Sequence, residues 1–204
     1  MKIKKILKKI FKNFFLLVFK KIYGQPKLLD NISKLDISKH HIENIEINKQ
    51  QFKVDKKIYE IDNAVIFTDL VEHVAIIKDN FLVPEISYQQ INGELKNVNY
   101  NKVLFNGTNR LKKKIKGSIL SLVQGASGNN YFHFLFDIIP KIILLEKKDY
   151  LKKIDFFFLP DVQNWQITIL SKFGISKNQL INSKNFRHLE AEKVIALDHM
   201  WYSK

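Results

Sequence analysis

The feature that most constrains this chain is an alternation of segment types that starts after Gly117. SILSLV (118–123) is a short run of leucine and β-branched residues, read as a strand; the small-residue loop GASGNN (125–130) and an apolar helical segment from about Asn130 follow it. IDFFFLP (154–160) is a second strand, WQITILSKFGI (165–175) a second helix ended at Gly174, and KVIAL (193–197) a third strand. Strand–helix–strand–helix–strand is the pattern of a parallel sheet with crossover helices. In such sheets ligands bind beyond the carboxyl ends of the strands, which is where GASGNN lies. Three strands make a small sheet, so either further strands lie elsewhere or the chain is incomplete.

Upstream, the pattern is different. AVIF, HVAII and FLVPEI, all within 61–92, are β-branched or aromatic runs separated by TDLVE and by Lys78-Asp79-Asn80, the chemistry of turns. They read as a β-hairpin or meander whose last strand ends, or lies at an edge, near Pro84. Residues 27–60 are polar, mixed in pattern and poor in motifs; His40-His41 has no second ligand pair at metal spacing and reads as a surface turn. Residues 99–117 read as a basic connector without periodicity.

The first residues, MKIKKILKKIFKNFFLLVFKKIYG, place apolar residues at 3, 6, 7, 10, 14, 17 and 18, with Lys5, Lys9, Lys12 and Lys20 opposite, which is the spacing of an amphipathic helix. The longest apolar run, 14–19, is far short of the ~20 residues that cross a bilayer, and Tyr23-Gly24-Gln25-Pro26 is no signal-peptide cleavage site. A lysine face with aromatic filling fits a helix lying on an anionic membrane surface; a solvated helix packed on its own domain is the alternative. The formal net charge is +14, and residues 1–23 carry eight lysines and no acid, leaving +6 for the rest. The basicity belongs mainly to that helix, which argues against nucleic acid as the partner. There is no cysteine, hence no disulfide framework or thiolate chemistry.

Chemistry concentrates in 125–147, GASGNNYFHFLFDIIPKIILLEK. Asn130, His133, Asp137 and Lys141 are spaced to share one face of a helix. The rest of its surface is apolar, so the helix is expected to be buried nearly all round. Pro140 removes one helical hydrogen bond and predicts a kink. Two accounts fit: a core histidine satisfied by a carboxylate one turn on, or a histidine tuned by Asp137 to act as general base or anion binder. Gly125-Ala126-Ser127-Gly128-Asn129 nearly matches the nucleophile elbow of serine hydrolases, but Asn129 stands where the last glycine belongs. The loop is neither a P-loop nor a dinucleotide fingerprint, and the chain holds no Asp-x-Asp. Asn106-Gly107-Thr108 and Asn31-Ile32-Ser33 are formal glycosylation sequons.

Residues 128–147 resemble the signature of glycosyltransferase family 61, in which Asn-Tyr-x-His-aromatic-Leu-x-Asp-x-(Leu/Ile)-Pro-(Arg/Lys) precedes an apolar run. Here Asn130, Tyr131, His133, Leu135, Asp137, Pro140 and Lys141 match in order, and the likeness extends over roughly 60–200. The resemblance implies an inverting, two-lobed GT-B-like sugar transferase with a nucleotide-sugar as co-substrate, no other cofactor and no metal ligand. It implies catalytic roles for His133 and Asp137 and substrate binding by Ser127, Gly128, Asn129, Asn130 and Lys141. The family's second lobe, with its arginine-bearing strand and late His-Gly-Ala-type stretch, is not in this chain, which is then expected to be a first half, inactive alone. The fold expected is α/β: a basic amphipathic helix (1–23), a β-rich region (24–117) with the meander, and a Rossmann-like β-α-β-α-β lobe (118–204). The expected partners are a nucleotide-sugar donor, a glycan or lipid-linked acceptor of surface polysaccharide synthesis, and an anionic membrane through residues 1–22, with no nucleic acid. The expected place is the cytoplasmic face of the membrane, held peripherally. A non-catalytic membrane-associated fragment and a serine hydrolase using Ser127 are the competing readings.

Overall fold

Polar turns and apolar runs divide the chain into elements that the computed structural model describes for residues 2–29, 32–68, 73–91, 94–124 and 128–200, the side chains of 2–9, 12 and 32 excepted. In chain order these are α1 (Lys2–Tyr23), β1 (Lys27–Leu28), β2 (Ser38–Ile47), β3 (Gln50–Phe67), β4 (His73–Lys78), β5 (Phe81–Leu82), β6 (Tyr88–Ile91), β7 (Glu94–Lys96), α2 (Val103–Asn106) and β8 (Lys113–Ser121). Then come α3 (Tyr131–His133), a π-turn (Phe134–Ile138), α4 (Ile139–Lys147), β9 (Phe156–Leu159), α5 (Asn164–Ser171), β10 (Leu180–Asn182) and β11 (His188–Leu197). The arrangement is mixed α/β, with the eleven strands in one sheet.

The parallel half is β11, β8, β9 and β10, each parallel to its neighbour. Chain order runs outward from β8 through β9 to β10 and then returns to the other side of β8 as β11. The order therefore reverses between β8 and β11. On its far side β11 pairs antiparallel with β3 through nine register pairs, from His188↔Phe67 to Leu197↔Ile58. Along its other edge β3 carries β2 and then β4; β4 is followed by β5 and β1 and also pairs with β6, which carries β7. The strands that end the main path, β10 and β1, are three and two residues long, whereas the ten-residue β2 pairs only with β3 and leaves its outer edge unpaired among the described strands.

The period-two rule decides which residues meet. On β9, Phe157 and Leu159 face one core and Phe158 the other; on β11, Ile195 and Leu197 alternate with Val194 and Ala196 in the same way. The first core is covered by Phe134, Ile138, Ile142 and Leu145 of the long helix, by Leu170 of α5, and by Ile42 and Ile45 of β2. The opposite core is covered without a helix, by Val83, Ile86 and Tyr88. Parallel strands need cover on both faces, and here helices supply one face and an irregular segment the other.

Several expectations change. Residues 27–60, read as motif-poor, contain most of a long hairpin, β2–β3, turning at Asn48 and Lys49 with φ of 50° and 65°. His40 and His41 lie within β2 rather than in a turn, against Glu60 at 3.3 Å and Asp55 at 2.6 Å. The connector 99–117 holds α2 and the beginning of β8. Position 117/118, expected as a boundary between regions, falls inside β8, and β3 and β11 join the regions on either side. The sheet is not limited to three strands.

Gly117 shapes β8 at that point. Its φ is +95°, and a Cβ there would stand 2.5 Å from Asp155 Oδ2. The left-handed backbone coincides with a register shift in the β8–β11 pairing between Ala191 and Lys193. Asp155 Oδ2 accepts from the Ser118 N–H at 2.7 Å, which clips β8 to the start of β9. The segment 2–23 is helical as its spacing predicts, and among the described residues no helix is long and apolar enough to cross a membrane.

Candidate active site

β8 delivers the chain to the site through Leu122, Val123 and Gln124, all buried. The Leu122 N–H donates to the Phe158 carbonyl at 2.9 Å, and the Val123 carbonyl accepts the Tyr88 hydroxyl at 2.6 Å. Ser127, expected as a substrate contact or nucleophile, lies outside the described residues. Gly128 is packed against the end of β9: a Cβ would stand 3.0 Å from the Pro160 carbonyl oxygen and 3.2 Å from Asp161 Cβ. Its own carbonyl accepts Gln166 Nε2 at 2.7 Å. Gln166 is fully buried and also caps α5, its Oε1 accepting the Gln163 N–H at 2.9 Å. Gly128 thus anchors the loop. Asn129 is exposed in the turn, and Asn130 caps the helix, its Oδ1 accepting the His133 N–H at 3.3 Å.

From Tyr131 the helix runs to Lys147, but Phe134–Ile138 form a π-turn closed by the Ile139 N–H donating to the Phe134 carbonyl. Pro140 explains its place. The proline has no N–H, and its ring crowds the carbonyl four residues back, Phe136; a wider turn moves that carbonyl aside. The expected kink is realised as this extra residue in the turn. The helix is not buried all round: Phe132 (58% exposed) and Phe136 (43%) stack on each other at 4.5 Å, with Tyr131 exposed nearby. Trp165 of α5 packs against Tyr131 and Phe134, each at 5.0 Å, and holds the first turn.

His133 and Asp137 meet across the π-turn, Nδ1 to Oδ2 at 3.0 Å. Asp137 is buried, while the His133 side chain is one-third exposed. The carboxylate is suited to accept from a protonated Nδ1, leaving Nε2 as the free lone pair of a neutral imidazole. One turn on, Lys141 is 2% exposed. Burial lowers its pKa to about 8, against the opposing pull of Asp137 and Asp198.

Asp198 and His199 follow directly on β11 and were not singled out in the sequence. Asp198 Oδ1 accepts the Tyr59 hydroxyl at 2.9 Å and Oδ2 accepts the Lys57 N–H at 2.8 Å. The Tyr59 hydroxyl is pushed well above its usual range, by burial first and then by Asp198. The His199 ring packs edge-on against Tyr88 at 5.4 Å, and its carbonyl accepts Lys56 Nζ at 2.9 Å. Burial, with the charges of Lys141 and Lys56, lowers the His199 pKa to about 3, so it is neutral at physiological pH. Burial and the Asp137 charge raise Tyr88. Lys56, Tyr59, Tyr88, Lys96, Asp198 and His199 line one side of a cavity of about 640 Å³. His133, Asp137 and Lys141 are not among its lining residues; the charge of Asp137 bears on Tyr88 and that of Lys141 on His199.

The two polar groups stand beyond the carboxyl ends of β8 and β11, where the strand order reverses. Open α/β sheets bind ligands at such points. The rule that marked GASGNN applies equally after KVIAL, and there it marks Asp198 and His199; Tyr59 and Tyr88 carried no comparable signal. No protein-family model matches the chain, and no curated protein or solved structure is similar to it.

Proposed function

We propose that the chain is a sugar transferase of the kind its 128–147 segment resembles, glycosyltransferase family 61, built on a Rossmann-like lobe with its reaction centre at His133. The observation that carries this reading is the 3.0 Å His133–Asp137 pair held on a π-turn beyond the carboxyl end of β8. In an inverting transfer the acceptor hydroxyl oxygen attacks the anomeric carbon and the bond to the donor phosphate breaks. The nucleotide diphosphate leaves with that electron pair, and the hydroxyl proton passes to His133 Nε2. Asp137 orients the imidazole and stabilises the imidazolium. Lys141 supplies a buried positive charge one turn away, toward a diphosphate. The stacked Phe132–Phe136 pair beside His133 offers an apolar face on which the C–H face of a pyranose packs. Placement at the inner face of a membrane, through α1, and a glycan or lipid-linked acceptor complete the proposal.

The test is transfer of labelled sugar from a panel of nucleotide-sugars, with binding read by thermal shift. The proposal expects one donor class to bind and, in a full-length two-lobed homologue, the change equivalent to His133→Ala to cost on the order of 10²- to 10⁴-fold in transfer. Asp137→Asn is expected to lose less. Wild-type turnover by the folded His133→Ala equivalent, or no binding of any nucleotide-sugar, overturns the proposal.

A further inference from the structure

The cavity of about 640 Å³ beyond the carboxyl end of β11 has the size of a small-molecule site. Three carboxylates, Asp55, Glu85 and Asp198, and three lysines, Lys56, Lys57 and Lys96, line it, so their formal charges cancel. Most are engaged with protein. Asp198 accepts from the Tyr59 hydroxyl and the Lys57 N–H, and Asp55 faces His41. Lys96 pairs with Glu94, and Lys56 donates to the His199 carbonyl. A diphosphate in this cavity would set its negative charges against three carboxylates, with no surplus of lining lysines to offset them.

Glu85 differs from the other two acids. Its Oε1 lies 3.6 Å from Lys39 Nζ, and its Oε2 is buried with no hydrogen-bond partner among the described residues. A buried carboxylate oxygen calls for a donor, and a hydroxyl is a neutral group that supplies one. The segment that carries Glu85 is fixed to β4. The Val83 N–H donates to the Ile76 carbonyl at 2.8 Å, and the Ser87 hydroxyl accepts the Ile76 N–H at 2.9 Å. Pro84, Leu95 and Val98 add apolar surface to the same cavity. Fixed acceptors, lysine donors and apolar surface together suit a pyranose: its hydroxyls meet the polar groups and its C–H faces the apolar ones. The wall also ties the cavity to the helix stripe, because Tyr88 donates to the Val123 carbonyl just past β8.

We propose that this cavity binds a neutral saccharide, with Glu85 accepting one of its hydroxyls. The saccharide is a sugar unit of the acceptor other than the one whose hydroxyl reacts at His133. Its role as acceptor rests on the transferase reading; the chemistry of the cavity does not. Binding energy from such a remote unit serves to orient the reacting one.

The experiment is a chemical-shift titration of the labelled full chain with neutral mono- and disaccharides of glucose, galactose, mannose, xylose and N-acetylglucosamine. Glucuronate and uridine diphosphate are the charged comparisons. At least one neutral saccharide is expected to shift residues within 55–59, 84–88, 95–98 and 198–199. Glu85→Leu is expected to weaken that binding about tenfold, as loss of a hydrogen bond to a charged group predicts. Leu95→Trp, which fills the cavity, is expected to abolish it. Circular dichroism checks that the variants fold; Glu85→Gln keeps the shape and one acceptor oxygen and is expected to bind between Glu85→Leu and wild type. The proposal is overturned if no neutral saccharide shifts these residues, if glucuronate or uridine diphosphate binds there more tightly, or if both Glu85 variants bind like wild type. Saccharide binding here with no nucleotide-sugar bound anywhere sinks the transferase reading and the acceptor role, and leaves the cavity a saccharide site. Nucleotide-sugar binding at 122–141 with no saccharide in the cavity sinks the cavity assignment alone.

Discussion

At the scale of single residues, Lys141 makes the sharpest claim. Its pKa falls from 10.5 to about 8 on burial, so the unfolded chain binds the extra proton between those values and stability rises with pH across that window. Below pH 8 the buried ammonium costs up to roughly 3 kcal/mol. Lys141→Met is therefore expected to melt above wild type at pH 7, with the gap closing from pH 8 toward about 10; a gap independent of pH would show that Lys141 is not held as described. His133, Asp137 and Lys141 were legible because three-and-four spacing survives any detail of packing. Asp198 and His199 were not, because an Asp-His pair after a strand carries no pattern until the neighbours of that strand are known. Asn130 and Gly128 are expected at substrate; in the structure Asn130 caps the helix and Gly128 packs against the end of β9.

Elements were legible in proportion to their apolar content. The strands within SILSLV, IDFFFLP and KVIAL are buried on both faces and announce themselves. The β2–β3 hairpin did not, because its outward residues are mostly charged or amide-bearing, and the inward side of its paired stretch is marked by the widely spaced Ile42, Ile45 and Ile58, with Ile47 and Val54 partly buried. β10 is three residues and offers no period to read. Gly117 is the element-scale test. An alanine there takes a left-handed backbone and displaces the Asp155 carboxylate that holds Ser118. Gly117→Ala is expected to lose at least about 2 kcal/mol in denaturant unfolding; an unchanged midpoint would show that the β8 bend does not need this glycine.

Across the whole molecule, the nine-pair β3–β11 ladder welds the amino-terminal hairpin to the parallel strands, and the two larger cores draw on both regions. Residues 24–117 and 118–204 are expected to unfold in one transition, with amides of β3, β8 and β11 protected to the same free energy in hydrogen exchange. Two separated transitions would mean that the regions are independent. The same weld brings Tyr59 to Asp198 and so builds the wall between the helix stripe and the cavity. Whether that junction is the functional site is decided by a chemical-shift map of the labelled chain titrated with nucleotide-sugars. The shifts should cluster at 122–141 and 195–199, beyond the carboxyl ends of β8 and β11, and vanish in His133→Ala; shifts confined to other surfaces, or none with any donor, would contradict it.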